Sequence, residues 1–508
     1  VRLPWVVGNA GLMGAIGIIV LAFFIVTLTA LSMSCITTNI RIGAGGAYSI
    51  IAQSLGLEVG GAVGIPLYLA QAFAGAMYIF GFREGLVWIF PDADYFVLDL
   101  ISFGIMFGIA FISTSFAFTI QYFVLAVMVI GILAFFAIPL LIPETMIYNP
   151  MDHLVGTFPG APETGFSGID VMTVFAIFFP AATGILAGAN LSGELKDPRK
   201  ELPFGTLLAI ATSFVIYIAI AFLVAAVASP QEMVENYTIA LDRSAWPEAT
   251  LAALLGATFS SGLACFVGAP RILQALSDHE ILPGSKWISK LTKTGEPRNA
   301  LYVTGAIVLL GILVRDLNAI APMITMFFLI TYMMVNFVVV VEQSLDMVSF
   351  RPGFPVWRSV PVLGTLGCLF AMFIINPIVG LVSVAVVFGI YIYLTRRDIF
   401  APHGDMRSGL FVALAEWAAK HTIDLPSNNE RAWKPSLLIP FRDYREMRGE
   451  FSFIRDLTLP NGSVTLIGLT DDGGDEELEA GLPVLSESFN RDGVFARWTH
   501  VESRNIYD

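Results

Sequence analysis

Runs of apolar residues long enough to cross a lipid bilayer recur over the first 395 positions of this 508-residue chain. A helix spanning hydrocarbon needs about 18–25 such residues, and a globular core does not use so many runs in succession. The runs place spans at 1–9, 11–38, 61–90, 95–115, 118–142, 171–191, 204–228, 250–276, 299–315, 318–342, 360–375 and 377–395. The first is short and reads as the second half of a helix that begins upstream of Val1. The predicted class is an all-α membrane protein. A mean hydropathy of +0.75 with 14% charged residues excludes an ordinary soluble protein. The net charge of −13 sits in loops and tail, and with no basic patch it argues against nucleic-acid binding.

The span at 171–191 is interrupted. Phe178-Phe-Pro-Ala-Ala-Thr-Gly-Ile-Leu-Ala-Gly-Ala-Asn190 contains Pro180, Gly184 and Gly188. Proline removes a backbone donor and crowds the preceding turn, while glycine admits geometries other residues avoid. In hydrocarbon a broken backbone survives only inside protein or along a watery cavity. A half-helix restarting near Gly184 would aim free N–H groups, and its positive dipole end, into the membrane interior. That arrangement makes an anion site without a charged side chain. The competing reading is glycine-mediated helix packing.

Loop charge orients the chain. Lys196, Arg199 and Lys200, and then Lys286, Lys290, Lys293 and Arg298, make one side basic; 143–170 has no Lys or Arg and 229–249 only Arg243. The positive-inside rule therefore predicts a cytoplasmic C-terminus. The transmembrane domain is expected to span 1–397. Residues 398–508 turn polar, with amphipathic Leu410–Lys420, strand-like Ser436–Ile439 and Ser463–Leu469, and an acidic loop at Asp471–Glu479. This pattern predicts part of an α/β cytosolic domain, incomplete at Asp508. Cys35, Cys265 and Cys368 all fall in apolar runs without metal or CxxC spacing and read as packing residues. No signal-peptide pattern precedes them.

Ionisable side chains are scarce inside the spans. Arg83, Glu84, Arg315 and Glu342 lie near ends, where snorkelling reduces the cost, and the five histidines lie outside. A proton relay is disfavoured, and no nucleophile–base set or metal cluster suggests an enzyme or a cofactor. What remains is neutral: oxygen ligands that suit alkali cations, and N–H and O–H donors that suit halides. Four places concentrate them. The interrupted span supplies Pro180 and Thr183, then the amides of Gly184, Ile185 and Leu186. Ala257-Thr-Phe-Ser260-Ser261 offers adjacent hydroxyls, which in a helix also bond back to the i−4 carbonyl. Tyr78 and Tyr332 lie within spans, where each phenol wants a partner but core packing alone accounts for a tyrosine.

Taken in order, these places resemble the cation–chloride cotransporters of the amino acid–polyamine–organocation superfamily. The resemblance covers nearly all of 1–395. It is dense at Ile42-Gly-Ala-Gly-Gly-Ala-Tyr48, Ala76-Met-Tyr-Ile-Phe-Gly-Phe82, Phe178–Glu194 and the run from Phe259 to Leu276. It implies a twelve-helix transporter with five helices repeated upside down, broken helices and two further helices, the first helix being truncated here. Carried over by position, Tyr78, Pro180 and Thr183 resemble potassium ligands. The Ala257 carbonyl with Ser260 and Ser261 resembles the sodium site. The amides of Gly184, Ile185 and Leu186 with the Tyr332 hydroxyl resemble a chloride site. The serine pair points to the sodium-coupled branch, since potassium–chloride members lack it, and Tyr78 points to potassium. The family's unwound first-helix centre, which adds backbone ligands, has no counterpart downstream of Val1.

The resemblance implies electroneutral symport of chloride with potassium and sodium across the plasma membrane by alternating access. It also implies a homodimer in the lipid bilayer. Two other readings stand beside it. An amino-acid or organic-cation permease of the same superfamily would use a broken sixth helix for a carboxylate and an amine. A non-transporting membrane scaffold or regulatory subunit would not need the missing half-helix.

Overall fold

The structure, a computed structural model, describes residues 2–39, 45–112, 114–161, 166–167, 170–190, 195, 197–313, 317–344, 350–397, 434–441, 445, 447–459, 462–470 and 476–502. Leu410–Lys420, Lys196, Arg315 and the motif positions Ile42–Ala44 and Leu191–Glu194 lie outside them. The chain divides into two compact units, Val1–Leu414 and Ala415–Asp508.

Helix α1 (Leu3–Asn39) is broken at Gly11, whose φ of 69° and ψ of 173° are not helical. The break separates the two segments expected at 1–9 and 11–38. Its freed backbone groups find partners in the segment 154–158. Met13 N–H donates to the Leu154 carbonyl, and the Ala10 and Asn9 carbonyls accept from Gly156 and Phe158, all at 3.0 Å. This is how a broken helix at membrane depth avoids orphaned polar groups. A Cβ on Gly11 would lie 2.4 Å from the Gly156 nitrogen, so the crossing requires glycine.

A short helix α2 (Ala47–Leu55) follows, then α3 (Leu57–Ile89), α4 (Tyr95–Ile112) and α5 (Thr114–Phe136). A two-residue hairpin, β1 (Gly160–Ala161) against β2 (Phe166–Ser167), precedes the interrupted span. That span is α6 (Val171–Phe178) and α7 (Leu186–Asn190). Then come α8 (Pro198–Val227), α9 (Pro247–Asp278), α10 (Arg298–Leu313), α11 (Leu317–Ser344), α12 (Ser359–Ile375) and α13 (Pro377–Thr395). Among the described residues eight helices are long and apolar enough to cross a membrane, and three apolar helices are shorter. The expected count of twelve crossings is therefore not given by helix length alone.

Helices α1, α3, α9 and α11 form the interior: α1 packs on α8, α3 on α9, and α11 on both α3 and α12. Trp5, Phe80, Phe175, Phe178, Phe179, Phe266 and Tyr332 are wholly buried there. By contrast α5, α8 and α13 turn large apolar side chains outward, Phe123, Phe204 and Phe388 among them, as helices at a lipid boundary do.

Two ionisable residues at span ends are not snorkelling. Arg83 turns inward to Asp99 of α4 at 2.9 Å, with only 2% of the Asp99 side chain exposed. Glu342 is 3% exposed and accepts from the Ser54 hydroxyl of α2 at 3.0 Å. In each case a partner on a neighbouring helix outcompetes water.

The second unit alternates β3 (Ser436–Phe441), α14 (Met447–Thr458), β4 (Ser463–Thr470), α15 (Glu476–Arg491) and β5 (Phe495–Glu502). The three strands are parallel in the order β3-β4-β5. Val464, Leu466, Leu482 and Phe489 form its core. It is an α/β unit, with β5 an element not read from the sequence. The acidic run is not loop throughout, because Glu476 to Glu479 open α15.

Candidate ion-binding site

The site is built around the interruption between α6 and α7. Helix α6 starts on Asp170, whose carboxylate accepts from the Thr173 hydroxyl at 2.6 Å and the Thr173 N–H at 2.8 Å. These two bonds hold the Asp170 carboxyl below the usual carboxylate range. Beyond Phe178, where Pro180 withholds its N–H, Phe179–Ala182 tighten into a 3₁₀ turn. Thr183, Gly184 and Ile185 belong to no helix, and the helix resumes at Leu186 rather than Gly184.

The released groups bond to one another across the fold. The Thr183 hydroxyl donates to the Pro180 carbonyl at 2.8 Å. The Tyr332 hydroxyl of α11, wholly buried, donates to the Thr183 carbonyl at 2.5 Å. One turn below the break, the Thr325 hydroxyl of α11 donates to the Ala176 carbonyl of α6 at 3.1 Å. Helix α11 thus holds both the first half-helix and the break. The Thr183 hydroxyl, which donates, keeps its lone pairs free, whereas the Pro180 carbonyl accepts from both the Thr183 hydroxyl and, at 3.3 Å, the Thr183 N–H.

The glycines separate the two readings of this segment. A Cβ on Gly188 would meet Leu202 at 3.1 Å, so that glycine serves packing against α8. A Cβ on Gly184 would meet nothing within 4 Å. Close packing therefore does not explain Gly184. It faces a cavity of about 430 Å³ that Gly188 lines as well, with Ala181, Ala182 and Ile185, and Glu201 and Ser213 from α8.

Tyr78 and the serine pair come together elsewhere in the interior. A Cβ on Gly262 of α9 would lie 3.5 Å from the Tyr78 Cβ of α3, and the Phe82 and Phe259 rings are 6.1 Å apart. Within that seam the Ser261 hydroxyl lies beside the Tyr78 phenol. Tyr78 also lies within electrostatic range of Tyr332, so the seam and the break share one interior. Ala257 and Ser260 are half-buried on the same helix as Ser261, and no described contact joins them to the break.

Two residues escaped the sequence reading. Tyr217 of α8 stacks edge-on against Phe178 at 5.6 Å and stands within electrostatic range of Tyr78. Its only signal was an aromatic in mid-span. Asn336, one turn past Tyr332, is wholly buried. It accepts from Ser32 at 2.7 Å and donates to Thr29 at 2.9 Å and to the Tyr332 carbonyl at 2.8 Å. A lone amide inside an apolar run was its signal.

Comparison with known proteins bears on this arrangement. The Amino acid permease family model matches residues 1–415. The model for the first C-terminal domain of prokaryotic cation–chloride cotransporters matches 439–508. Human solute carrier family 12 member 2 is 33% identical over 457 residues, covering 78% of this chain and 37% of that protein. Solute carrier family 12 member 1 of Rattus norvegicus is 32% identical over 451 residues, 78% of this chain and 41% of that protein. The chain spans about two fifths of the length of these relatives. With a permease match over its whole helical unit and a membrane-crossing helix set, the chain is an integral membrane protein of the amino acid permease family, whose α/β unit is similar to the first C-terminal domain of prokaryotic cation–chloride cotransporters.

Proposed function

We propose that the protein carries out electroneutral symport of chloride with potassium and sodium by alternating access. In this scheme Tyr78, Pro180 and Thr183 hold potassium, and Ala257, Ser260 and Ser261 hold sodium. The amides of Gly184, Ile185 and Leu186 with Tyr332 hold chloride. The observation that carries the reading is the break at Thr183–Ile185, where backbone released from a helix meets the Tyr332 hydroxyl beside a cavity.

Coupling follows from electrostatics. A half-helix end supplies only about half a unit charge. A potassium ion about 5 Å from chloride supplies a full one, worth roughly 3 kcal/mol at an effective dielectric near 20. Tyr332 adds a second link, because its single proton now serves the Thr183 carbonyl. A chloride that takes that proton frees the carbonyl beside the potassium ligands. Loading both signs together also avoids carrying net charge through low dielectric, and rocking of helix groups then exposes the site alternately. The protein acts in the cell membrane as a homodimer with its C-terminus in the cytoplasm.

Tyr332→Phe tests the scheme. Losing one charge-assisted donor should raise the chloride concentration for half-maximal rubidium uptake about tenfold or more while the protein still reaches the membrane. Unchanged chloride dependence would remove Tyr332 from the site. A cavity of about 430 Å³ is also large enough for an organic substrate, as in an amino-acid or organic-cation permease. Chloride-independent uptake competed by amino acids or amines would favour that reading.

A further inference from the structure

Glu342 takes no part in the proposed ion sites, yet it is the single acid of α11 and is buried. One carboxylate oxygen accepts from Ser54 of α2 at 3.0 Å, and the other is buried with no hydrogen-bond partner. Among the described residues no salt bridge reaches it. Intramembrane acids are costly unless charge-compensated, and by default they mark a functional site.

Among the described residues the surroundings supply no fixed compensating charge. From α1 the titratable neighbour is Cys35, which is neutral as a thiol. Helix α2 carries no charged residue, and its Tyr48 is bonded to His279 just past α9, at 2.5 Å. Helix α3 opens with Glu58, a second acid, which has interactions of its own. The segment before α12 offers Arg351 and Arg358, and the end of α13 offers Arg396 and Arg397, all four exposed. Asp278, at the end of α9, is exposed as well.

Helix α2 therefore hangs between two titratable anchors, Tyr48–His279 at its start and Ser54–Glu342 at its end. It also packs against α3, α9 and α7, the half-helix that follows the break. We propose that Glu342 and Ser54 form a binding site for a monovalent cation, a proton or an alkali ion, whose occupancy seats α2 against α11. The cation compensates the carboxylate whenever it is buried. Without the cation the carboxylate leaves for water and α2 loses its second anchor. Because α2 touches α7, occupancy of this site is linked to the half-helix of the proposed chloride site, a consequence that rests on the symport reading; the cation site itself does not.

The test needs no transport. Thermal unfolding of the purified protein in choline buffer is followed against pH, and at fixed pH against sodium or potassium, for wild type and Glu342→Gln. A proton site predicts that the difference between the two proteins changes with pH by up to tenfold in the folding equilibrium per pH unit. An alkali site predicts a difference that grows with sodium or potassium at constant pH. Ser54→Ala keeps the carboxylate, so it should retain the dependence with a shifted midpoint, and it covers the case in which Glu342→Gln does not fold. Equal pH and alkali responses in wild type and Glu342→Gln, or an unshifted profile in Ser54→Ala, overturn the proposal.

Discussion

Replacing Asn336 by leucine should expose how α1, α11 and α12 are locked together behind the candidate chloride site. Leucine keeps the branching and heavy-atom count of asparagine, so the main loss is polar. The Ser32 hydroxyl is left without its 2.7 Å acceptor, and the bonds to Thr29 and the Tyr332 carbonyl disappear. Thr29 keeps its own bond to the Ile25 carbonyl. Interhelical hydrogen bonds in membranes average about 0.6 kcal/mol and reach about 1.7, while an orphaned buried hydroxyl costs about 1–3 kcal/mol. The single orphan dominates, giving an expected loss of about 1–3 kcal/mol. Unfolding in detergent should be compared for Asn336→Leu, Ser32→Ala and the pair. Because the double variant orphans neither partner, it should be less destabilised than the sum of the singles by about 0.5–2 kcal/mol. Gly364 of α12 adds an independent check. A Cβ there would lie 2.3 Å from Asn336 Oδ1, so Gly364→Ala should be severely destabilising, and Asn336→Ala in the same chain should restore much of the loss. Strict additivity in both pairs would refute the lock.

Arg83→Gln should cost about 3–5 kcal/mol, since it strands the buried Asp99 carboxylate, and adding Asp99→Asn should recover part of it in the same unfolding assay. Two carboxylates at helix starts predict an acid limb. Asp170 is held low by Thr173, and Glu232 by the Ser229 N–H and then Arg243. Their folded-state values lie below the unfolded ones, so their stabilisation is present above about pH 4 and is lost as pH falls through the folded values. Asp170→Asn with Glu232→Gln should flatten that limb of the unfolding profile. Ser261→Ala should raise the sodium requirement for rubidium uptake while leaving chloride dependence nearly unchanged; the reverse pattern would misassign the seam.

The break at Pro180 was legible because a missing donor and clustered glycines are local facts. The half-helix ending near Gly11 was legible as a short run. Helix α2 was not, because nine residues beside a longer apolar run leave no separate periodic signature. Helix α8 begins at Pro198, six residues before its apolar run, because a polar first turn at a membrane surface carries no hydropathy signal. Asn336 escaped the sequence reading, and Glu342 read as a snorkelling acid near a span end. Their partners, Ser32 and Ser54, lie 304 and 288 residues away, a distance no local pattern spans. Gly184 and Gly188 look alike in sequence and line the same cavity, and only their surroundings show that Gly188 is also packed against Leu202 while Gly184 is not packed.

The central claim is that cations and chloride move together through the interior around the break. Rubidium uptake into cells or vesicles carrying the protein, with sodium, potassium or chloride replaced one at a time, tests it most directly. The account predicts that removing chloride or sodium abolishes uptake, that potassium competes with rubidium, and that membrane voltage has no effect. Rubidium uptake that persists without chloride, or that follows voltage, would contradict it.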